Sequence, residues 1–342
     1  MNINCFLFDA LQYDEDIKNS LTSKTLDYRT CVTNSFTTTS LVSFFSGLLP
    51  SKINKLGIGY GSVYSKLNEE EKSVWDSKII LNSLDDSWEI NYLSDDKNID
   101  FLENECFTVN KKVNKIIYKS FIDEKKKIED LLKHKKKNRL NFIKLNHLHD
   151  AYDCNSEFFT KTKDAKKMFE EIINFIDFEQ DDTLFWFFGD HGNWAYIDKY
   201  MTPPHSTICW SAIKNNIKQI EDNRQIAHIT DFAHYFNNLV YNKSTNFMKE
   251  FYYSEDGRGA IDNTQTTTFS VLCEMEANVL YQLSYHAVTK EYKFFRFDYE
   301  KQKTIDFDKN VKKENVAILR KKLYEVYHER IKNFQRQNNR RV

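Results

Sequence analysis

The sequence predicts an α/β fold, because short apolar segments alternate with segments of helical periodicity. Residues 3–8 and 183–188 are apolar runs of the length that is typical of buried strands, and residues 141–148 alternate and are apolar enough to form a strand. Residues 164–178, between the last two runs, carry apolar side chains at helical spacing. Polar side chains follow each predicted strand, and open α/β sheets bind their ligands at that end of the strands.

The C-terminal part of the chain has a different pattern. Residues 278–285 and 292–298 are predicted to form a β-hairpin, and residues 313–334 an amphipathic helix. We therefore predict two units, an α/β core over residues 1–248 and a smaller α+β unit over residues 249–342.

Further elements are predicted within the core. Leu41–Phe45 is a predicted helix that ends before Gly47, with the hydroxyl side chains of residues 37–40 as its N-cap. Residues 66–140 are polar and rich in Lys, Glu and Asp, and this charge run is predicted to be a solvated helix face. The remaining predictions are helices at residues 67–75 and 117–134, a strand at 207–213 and a helix at 228–241.

The composition excludes several classes of protein. Hydrophobic residues make up 41% of the 342 residues and aromatic residues 15%, which excludes an intrinsically disordered chain. With 49 Lys and Arg against 50 Asp and Glu, the net charge of −1 gives no general attraction to nucleic acid or an anionic membrane. The six cysteines form no CxxC pair, and no signal peptide or membrane-spanning segment is recognisable. We therefore expect a reduced, cytoplasmic protein.

Four groups of polar side chains are candidates for a shared site. Asp9 follows the first strand, a cluster of histidine and aspartate at residues 147–153 follows the second, and Asp190 and His191 follow the third. A run of hydroxyl side chains occupies residues 37–40. Two carboxylates, an imidazole and a hydroxyl suit a divalent cation. Such a cation lowers the pKa of a neighbouring hydroxyl and makes it a usable nucleophile at neutral pH.

The order of these motifs resembles the alkaline phosphatase superfamily, in particular its sulfatase-like branch. The strand that ends in Asp9 resembles the family's opening metal-binding strand. Residues 37–50 resemble the nucleophile motif, with Thr37 ten residues before Gly47. Phe187–Gly192 resembles the strand end that supplies two metal ligands in this family.

The resemblance implies a central, mostly parallel sheet with helices on both faces. It also implies a phosphoryl-transfer site in which Thr37 attacks phosphorus, and His149 and His205 contact the transferred group as catalytic residues. The expected cofactor is one divalent metal ion, Zn or Mn, with Mg or Ca as alternatives. The residues implied as its ligands are Asp9, Thr37, Asp190 and His191.

Two alternatives stay open at this point. Only the spacing to Gly47 distinguishes Thr37 from the neighbouring hydroxyl groups as the nucleophile. These competing residues are Thr38, Thr39 and Ser40. A second metal site is the other alternative, with the candidate ligands His149, Asp153 and His205.

The chain departs from the ordinary sulfatase pattern at three positions, one of which is Gln12 in place of the usual arginine. Thr37 occupies the place of the cysteine that becomes formylglycine, and Ala10 stands where calcium sulfatases have a second aspartate. We therefore do not expect a formylglycine sulfatase.

The predicted function is a metal-dependent phosphoester hydrolase or phosphotransferase that acts on a small phosphorylated or glycan-linked substrate. The alternative is a catalytically weak protein that uses the same fold as a binding module. Nucleic acid is not an expected partner, although Lys135–Lys137 and the tail Arg336–Arg341 are basic. Membrane insertion is not expected either, and the oligomeric state is left open.

Overall fold

The computed structural model describes most of the chain. The described residues are 1–11, 15–34, 36–53, 64–133, 138–146, 158–192, 207–218, 220, 222, 224–243, 247, 250–256, 267–299, 303–305 and 312–338. Within these ranges, the side chains of residues 158–165, 303–305, 333–335, 337 and 338 are not described.

The described residues form two β-sheets and a set of helices. The first sheet contains β1 (Asn2–Phe8), β2 (Asp27–Val32), β3 (Glu89–Asp95), β4 (Val113–Tyr118), β5 (Arg139–Leu145), β6 (Thr183–Gly189), β7 (Ile208–Asn215) and β8 (Ile226–His228). The second sheet contains β9 (Tyr252–Asp256), β10 (Thr268–Glu276), β11 (Val279–His286), β12 (Glu291–Asp298) and β13 (Lys303–Ile305). The α-helices are α1 (Glu15–Thr22), α2 (Thr37–Ser46), α3 (Pro50–Ile53), α4 (Glu69–Asp76), α5 (Phe121–Lys133), α6 (Phe158–Phe175), α7 (Asp231–Tyr241) and α8 (Lys313–Asn338).

The first sheet confirms the predicted central, mostly parallel sheet. Its strand order is β4-β3-β5-β1-β6-β7-β2-β8. β7 runs antiparallel to both of its neighbours, and the other neighbouring pairs described in this sheet are parallel. Of the helices in the described ranges, none combines the length and the apolar character needed to cross a bilayer.

Helices cover both faces of this sheet, because side chains along β1 alternate between two apolar clusters. Ile3, Cys5 and Leu7 pack in a cluster that includes side chains of α2 and α7. Phe6 and Phe8 point to the opposite face, in a cluster with side chains of α1, α5 and α6. The expectation of helices on both faces is therefore confirmed.

A row of asparagines crosses four neighbouring parallel strands. Asn141 Nδ2 on β5 donates a hydrogen bond to Asn4 Oδ1 on β1 at 2.7 Å. Asn91 Nδ2 on β3 donates to Asn141 Oδ1 at 2.8 Å, and Asn114 Nδ2 on β4 donates to Asn91 Oδ1 at 3.0 Å. The four residues are register partners, so their amides satisfy one another across the sheet. We call this row the asparagine ladder.

The second sheet is antiparallel, with the strand order β13-β12-β11-β10-β9. On one face of this sheet, Leu272 packs with Val32 of the first sheet, in a cluster that joins the two sheets. The predicted hairpin is confirmed as β11 and β12, whereas the boundary at residues 248 and 249 stays a prediction. α8 packs on the sheet through side chains spaced four residues apart, namely Leu319, Leu323, Tyr327 and Ile331.

The structure corrects several predicted elements. Between the two helices predicted within residues 66–140, the structure adds the strands β3 and β4, which the sequence analysis does not predict. The ladder residue Asn91 is buried in β3 and Asn114 is half-buried in β4, so the polar composition of these strands conceals their place in the sheet. The helix predicted from Ile117 begins at Phe121, because Ile117 lies in β4. The helix predicted from His228 begins at Asp231, because His228 ends β8.

Candidate active site

The candidate site lies at the carboxyl ends of β1 and β6, beside the N-terminus of α2. Asp9 is 3% exposed, and its backbone N–H donates to Leu145 O at 3.0 Å, one residue beyond β1. The chain then turns sharply, since Ala10 has a left-handed φ of 56°. The Ala10 N–H donates to Asp190 Oδ1 at 3.1 Å. This turn joins the ends of β1 and β6 and brings their two carboxylates together.

Asp190 and His191 follow β6 directly, and both are buried. His191 Nδ1 lies 2.8 Å from Gly192 O. Because a carbonyl oxygen can only accept, Nδ1 carries the hydrogen in this contact, and in a neutral ring Nε2 is then an acceptor. Before this pair, Gly189 approaches β7 so closely that a Cβ atom there would lie 2.0 Å from Cys209 Sγ.

α2 is held over the sheet by aromatic stacking. The ring of Phe44 lies between Phe188 of β6 and Phe232 of α7, with centroid distances of 4.2 and 4.0 Å. The helix ends at Gly47, which has a left-handed φ of 68° and whose N–H donates to Ser43 O at 2.9 Å. These contacts fix the helix relative to the strand that carries Asp190 and His191.

The hydroxyl run lies inside α2, which corrects its prediction as the N-cap. Phe36 occupies the N-cap position and makes no side-chain cap bond. Thr39 Oγ1 donates to Phe36 O at 2.9 Å, and Ser40 Oγ donates to Asp190 O at 2.6 Å. These hydroxyls therefore do not accept the first N–H groups of the helix, as a cap would.

Thr37 differs from its hydroxyl neighbours. It is the first residue of α2 and is half-buried, and its Oγ1 donates to Asp9 Oδ1 at 3.3 Å. Thr38, Thr39 and Ser40 are all buried. Of the four hydroxyl groups, Thr37 thus combines partial exposure with a direct contact to the carboxylate pair.

Three acceptor atoms converge beside Thr37. One ligand atom each from Asp9, Asp190 and His191 lies within 4.8 Å of the others. His191 Nε2 is 3.6 Å from Asp9 Oδ1 and 3.8 Å from Asp190 Oδ2. Asp190 Oδ2 is buried and has no hydrogen-bond partner among the described residues.

This group fits a divalent cation, because two carboxylates and an imidazole that face one another in a buried site are suitable ligands for one. Burial and the negative charge of Asp9 both raise the pKa of the Asp190 carboxyl. A bound cation would offset that repulsion. The residues that could hold it are those the sequence indicated, namely Asp9, Thr37, Asp190 and His191.

The sequence analysis missed Lys144, which lies in β5 beside the site. Its side chain is 2% exposed, and Nζ donates to Asp9 Oδ2 at 2.5 Å. Nζ also donates to Asn146 Oδ1, and Asn146 Nδ2 in turn donates to Asp95 Oδ2 at 2.7 Å. A lysine within a predicted buried strand next to a predicted site was the available signal, since a buried lysine needs an anionic partner.

Several predicted residues lie outside the described part of the chain. They include His149 and His205 as catalytic residues and Asp153 as a ligand of a second metal. Their roles stay predictions.

Five of the six cysteines are described, and all five are free and buried, namely Cys5, Cys31, Cys106, Cys209 and Cys273.

Comparisons with known proteins identify the fold. No family model matches the chain, and a search of curated proteins found no match either. The structure is similar to a protein in the alkaline phosphatase superfamily from Vibrio parahaemolyticus, with a TM-score of 0.59 and 13% identity, covering 97% of this chain and 88% of that chain. For Ps i-CgsB in complex with k-i-k-neocarrahexaose, the TM-score is 0.53 and the identity 12%, covering 96% and 92%. For the lipoteichoic acid synthase LtaP from Listeria monocytogenes, the TM-score is 0.49 and the identity 12%, covering 97% of this chain and 92% of that chain. The chain therefore has the fold of the alkaline phosphatase superfamily.

Proposed function

We propose that this protein is a metal-dependent phosphoester hydrolase or phosphotransferase with Thr37 as its nucleophile. The observation that carries the proposal is the convergence of Thr37 Oγ1 with three buried acceptor atoms at the ends of β1 and β6. The fold supports phosphoester chemistry, since a similar structure belongs to the alkaline phosphatase superfamily. The fold alone does not decide the reaction, so the argument depends on the site residues.

In the proposed reaction, Thr37 Oγ attacks phosphorus in line with the leaving oxygen. The threonine O–P bond forms as the bond to the leaving group breaks, and the phosphothreonine then passes its group to water or an acceptor hydroxyl. Asp9 Oδ1 accepts the hydrogen of the Thr37 hydroxyl and holds the oxygen in place for the attack. Thr37 also begins α2, whose unpaired N–H groups favour an anion at that position.

Asp9, Thr37, Asp190 and His191 would hold the divalent ion. When bound, such an ion lowers the pKa of the hydroxyl and offsets charge on the transferred group. Zn or Mn is the proposed identity, with Mg or Ca as alternatives, because the set mixes carboxylate, hydroxyl and imidazole ligands. His149 and His205 are proposed to contact the transferred group, one of them as the acid that protonates the leaving oxygen.

The proposed substrate is a small phosphorylated molecule or a glycan-linked phosphoester. One structure of similar fold was solved with a carbohydrate, k-i-k-neocarrahexaose, which supports including glycans in the substrate search. A cytoplasmic location remains part of the proposal.

The test is turnover of aryl phosphomonoester, phosphodiester and sulfate-ester probes by the metal-loaded protein. We expect hydrolysis of a phosphoester probe, and a kcat at least about a thousandfold lower for Thr37→Ala, because the attacking oxygen is lost. Thr37→Ser should keep measurable turnover, since it keeps the oxygen. Thr38→Ala is the matched control, because it removes a hydroxyl from the same helical turn.

Three results would contradict the proposal in different ways. Full activity of Thr37→Ala would exclude Thr37 as the nucleophile. Equal losses in Thr37→Ala and Thr38→Ala would indicate damage to the helix rather than to the chemistry. A protein that binds no Zn or Mn and turns over none of the probes would favour the binding module.

A further inference from the structure

We propose that Lys144 is a positioning residue, which holds Asp9 so that this carboxylate binds a metal ion through Oδ1 alone. The inference rests on the proposed metal site and explains how one of its ligands is oriented. The two oxygens of Asp9 face different groups. Oδ1 faces Thr37 Oγ1 at 3.3 Å and His191 Nε2 at 3.6 Å, whereas Oδ2 faces Lys144 Nζ at 2.5 Å.

Lys144 is itself fixed by several contacts, so its ammonium group cannot move away from Asp9 without losing them. Nζ donates to Asn146 Oδ1 and lies 5.3 Å from the centre of the Phe101 ring. Asn146 is oriented in turn, because its Nδ2 donates to Asp95 Oδ2 at 2.7 Å. Lys144 and Asn146 are 2% and 3% exposed, so water offers little competition for these bonds.

The charge of Lys144 determines what Oδ2 can do. A divalent ion that used both oxygens of Asp9 would have to displace the ammonium group or approach its charge closely, and both are unfavourable in a buried site. Asp9 would therefore contribute one oxygen, and Thr37, Asp190 and His191 would complete a set of four ligands. Removal of the Lys144 ammonium group takes away the charge that opposes binding of the same ion through Oδ2.

The experiment compares Co²⁺ binding by the wild-type protein and Lys144→Met, followed by visible absorption. Four-coordinate Co²⁺ absorbs more strongly in the visible range than five-coordinate Co²⁺. We expect the absorption per bound ion to fall in Lys144→Met, because Asp9 then binds through both oxygens. We also expect Co²⁺ to bind about tenfold more tightly, because a neighbouring positive charge is gone.

Two further variants keep this test decisive. Lys214→Met removes a lysine from β7 that pairs with Glu179 instead of Asp9, and it should leave the Co²⁺ spectrum unchanged. Asn146→Ala keeps the ammonium but removes an acceptor that orients it, so it should shift the spectrum in the same direction by a smaller amount. This second variant carries the test if Lys144→Met does not fold, as judged by thermal unfolding of the metal-free protein.

The outcomes separate this inference from the proposed function. Wild-type protein that binds no Co²⁺ would overturn the metal site, and this inference with it. If the wild-type protein binds Co²⁺ and the spectrum is unchanged in folded Lys144→Met, only the role of Lys144 is overturned. The same holds for an unchanged Asn146→Ala spectrum where Lys144→Met does not fold. Weaker Co²⁺ binding by Lys144→Met would also overturn it, because the positive charge would then not limit how Asp9 binds.

Discussion

The tightest backbone approach at the site is at Gly189, the last residue of β6. An added Cβ atom would lie 2.0 Å from Cys209 Sγ and 2.7 Å from the backbone oxygen of Leu11. The second contact is with backbone, so rotation of a side chain cannot relieve it. Leu11 O also accepts from the indole N–H of Trp210 at 2.9 Å, which holds it in place.

We therefore expect Gly189→Ala to lower the free energy of unfolding by more than about 3 kcal/mol, because the Leu11 backbone cannot rotate away from the added methyl group. Urea denaturation followed by circular dichroism measures the change. Gly47→Ala is the comparison, since its Cβ would meet Ala233 Cβ at 3.1 Å in a left-handed conformation. We expect that variant to lose only about 1 kcal/mol. A loss at Gly189 no larger than at Gly47 would show that the sheet can relax around the new methyl group.

At the scale of the elements, the asparagine ladder helps to fix the register of the strands in the first sheet. Asn141 lies inside the row, is 1% exposed, and uses its amide both to donate to Asn4 and to accept from Asn91. A shift of one residue along a strand would place each amide on the opposite face of the sheet. The ladder therefore favours the observed register of these strands over registers shifted by one residue.

Asn141→Ala should lower the free energy of unfolding by about 2–4 kcal/mol, because it breaks two buried hydrogen bonds and leaves Asn4 Oδ1 without this donor. Asn114→Ala should cost about 1 kcal/mol or less, since Asn114 ends the row and is only half-buried. Chemical denaturation of both variants under the same conditions tests the difference. Equal losses in the two variants would mean that an asparagine inside the row contributes no more to the free energy of unfolding than one at its end.

The elements also show what can be predicted from sequence. β1, β6 and the β11–β12 hairpin have apolar or alternating patterns, and their positions were predicted closely. β3 and β4 were missed, because the asparagines that cross-link them resemble a solvated segment until their partners on other strands are known.

At the site, too, residues in local motifs can be predicted from the sequence, whereas a residue whose partner lies on another strand cannot. Asp9, Thr37, Asp190 and His191 lie within recognisable motifs, and the structure brings them together. Lys144 lies within no such motif. Its partnership with Asp9 depends on the pairing of β1 with β5, which places Lys144 beside the end of β1. Contacts of this kind depend on strand order, which a local pattern does not encode.

For the whole molecule, a buried charge network couples stability to pH. Asp222 pairs with Arg29 of β2 and with Arg224, and Arg224 also pairs with Asp231 at the start of α7. Burial alone would raise the pKa of Asp222. Hydrogen bonds and charge from Arg224 and Arg29 outweigh that effect and hold the pKa at about 2.

Because this pKa lies below the ordinary aspartate value of about 4, ionised Asp222 stabilises the fold above that pH. The contribution is lost as the pH falls toward 2. We expect Asp222→Asn to be less stable than wild type at neutral pH, and the difference to shrink on acidification through this window. Urea denaturation at a series of pH values measures it.

The control for the pH series is Asp27→Asn, because Asp27 also pairs with Arg29 but its side chain is 55% exposed. That variant should remain close to wild type throughout the series. A stability difference for Asp222→Asn that stays constant from neutral pH to acid would assign its effect to packing instead of charge.

The strand order of the first sheet also has a consequence for synthesis on the ribosome. β1 pairs with β5 and β6, and β2 pairs with β7 and β8, so the two N-terminal strands have no neighbours in the sheet until much later segments emerge. Val32, for example, cannot pair until Ile208, its register partner on β7, has been synthesised. The nascent chain must therefore keep these two strands unpaired while most of the sheet is being made. Such long-range pairing slows folding and favours chaperone contact, and the site between Asp9 and Asp190 forms only when β6 arrives.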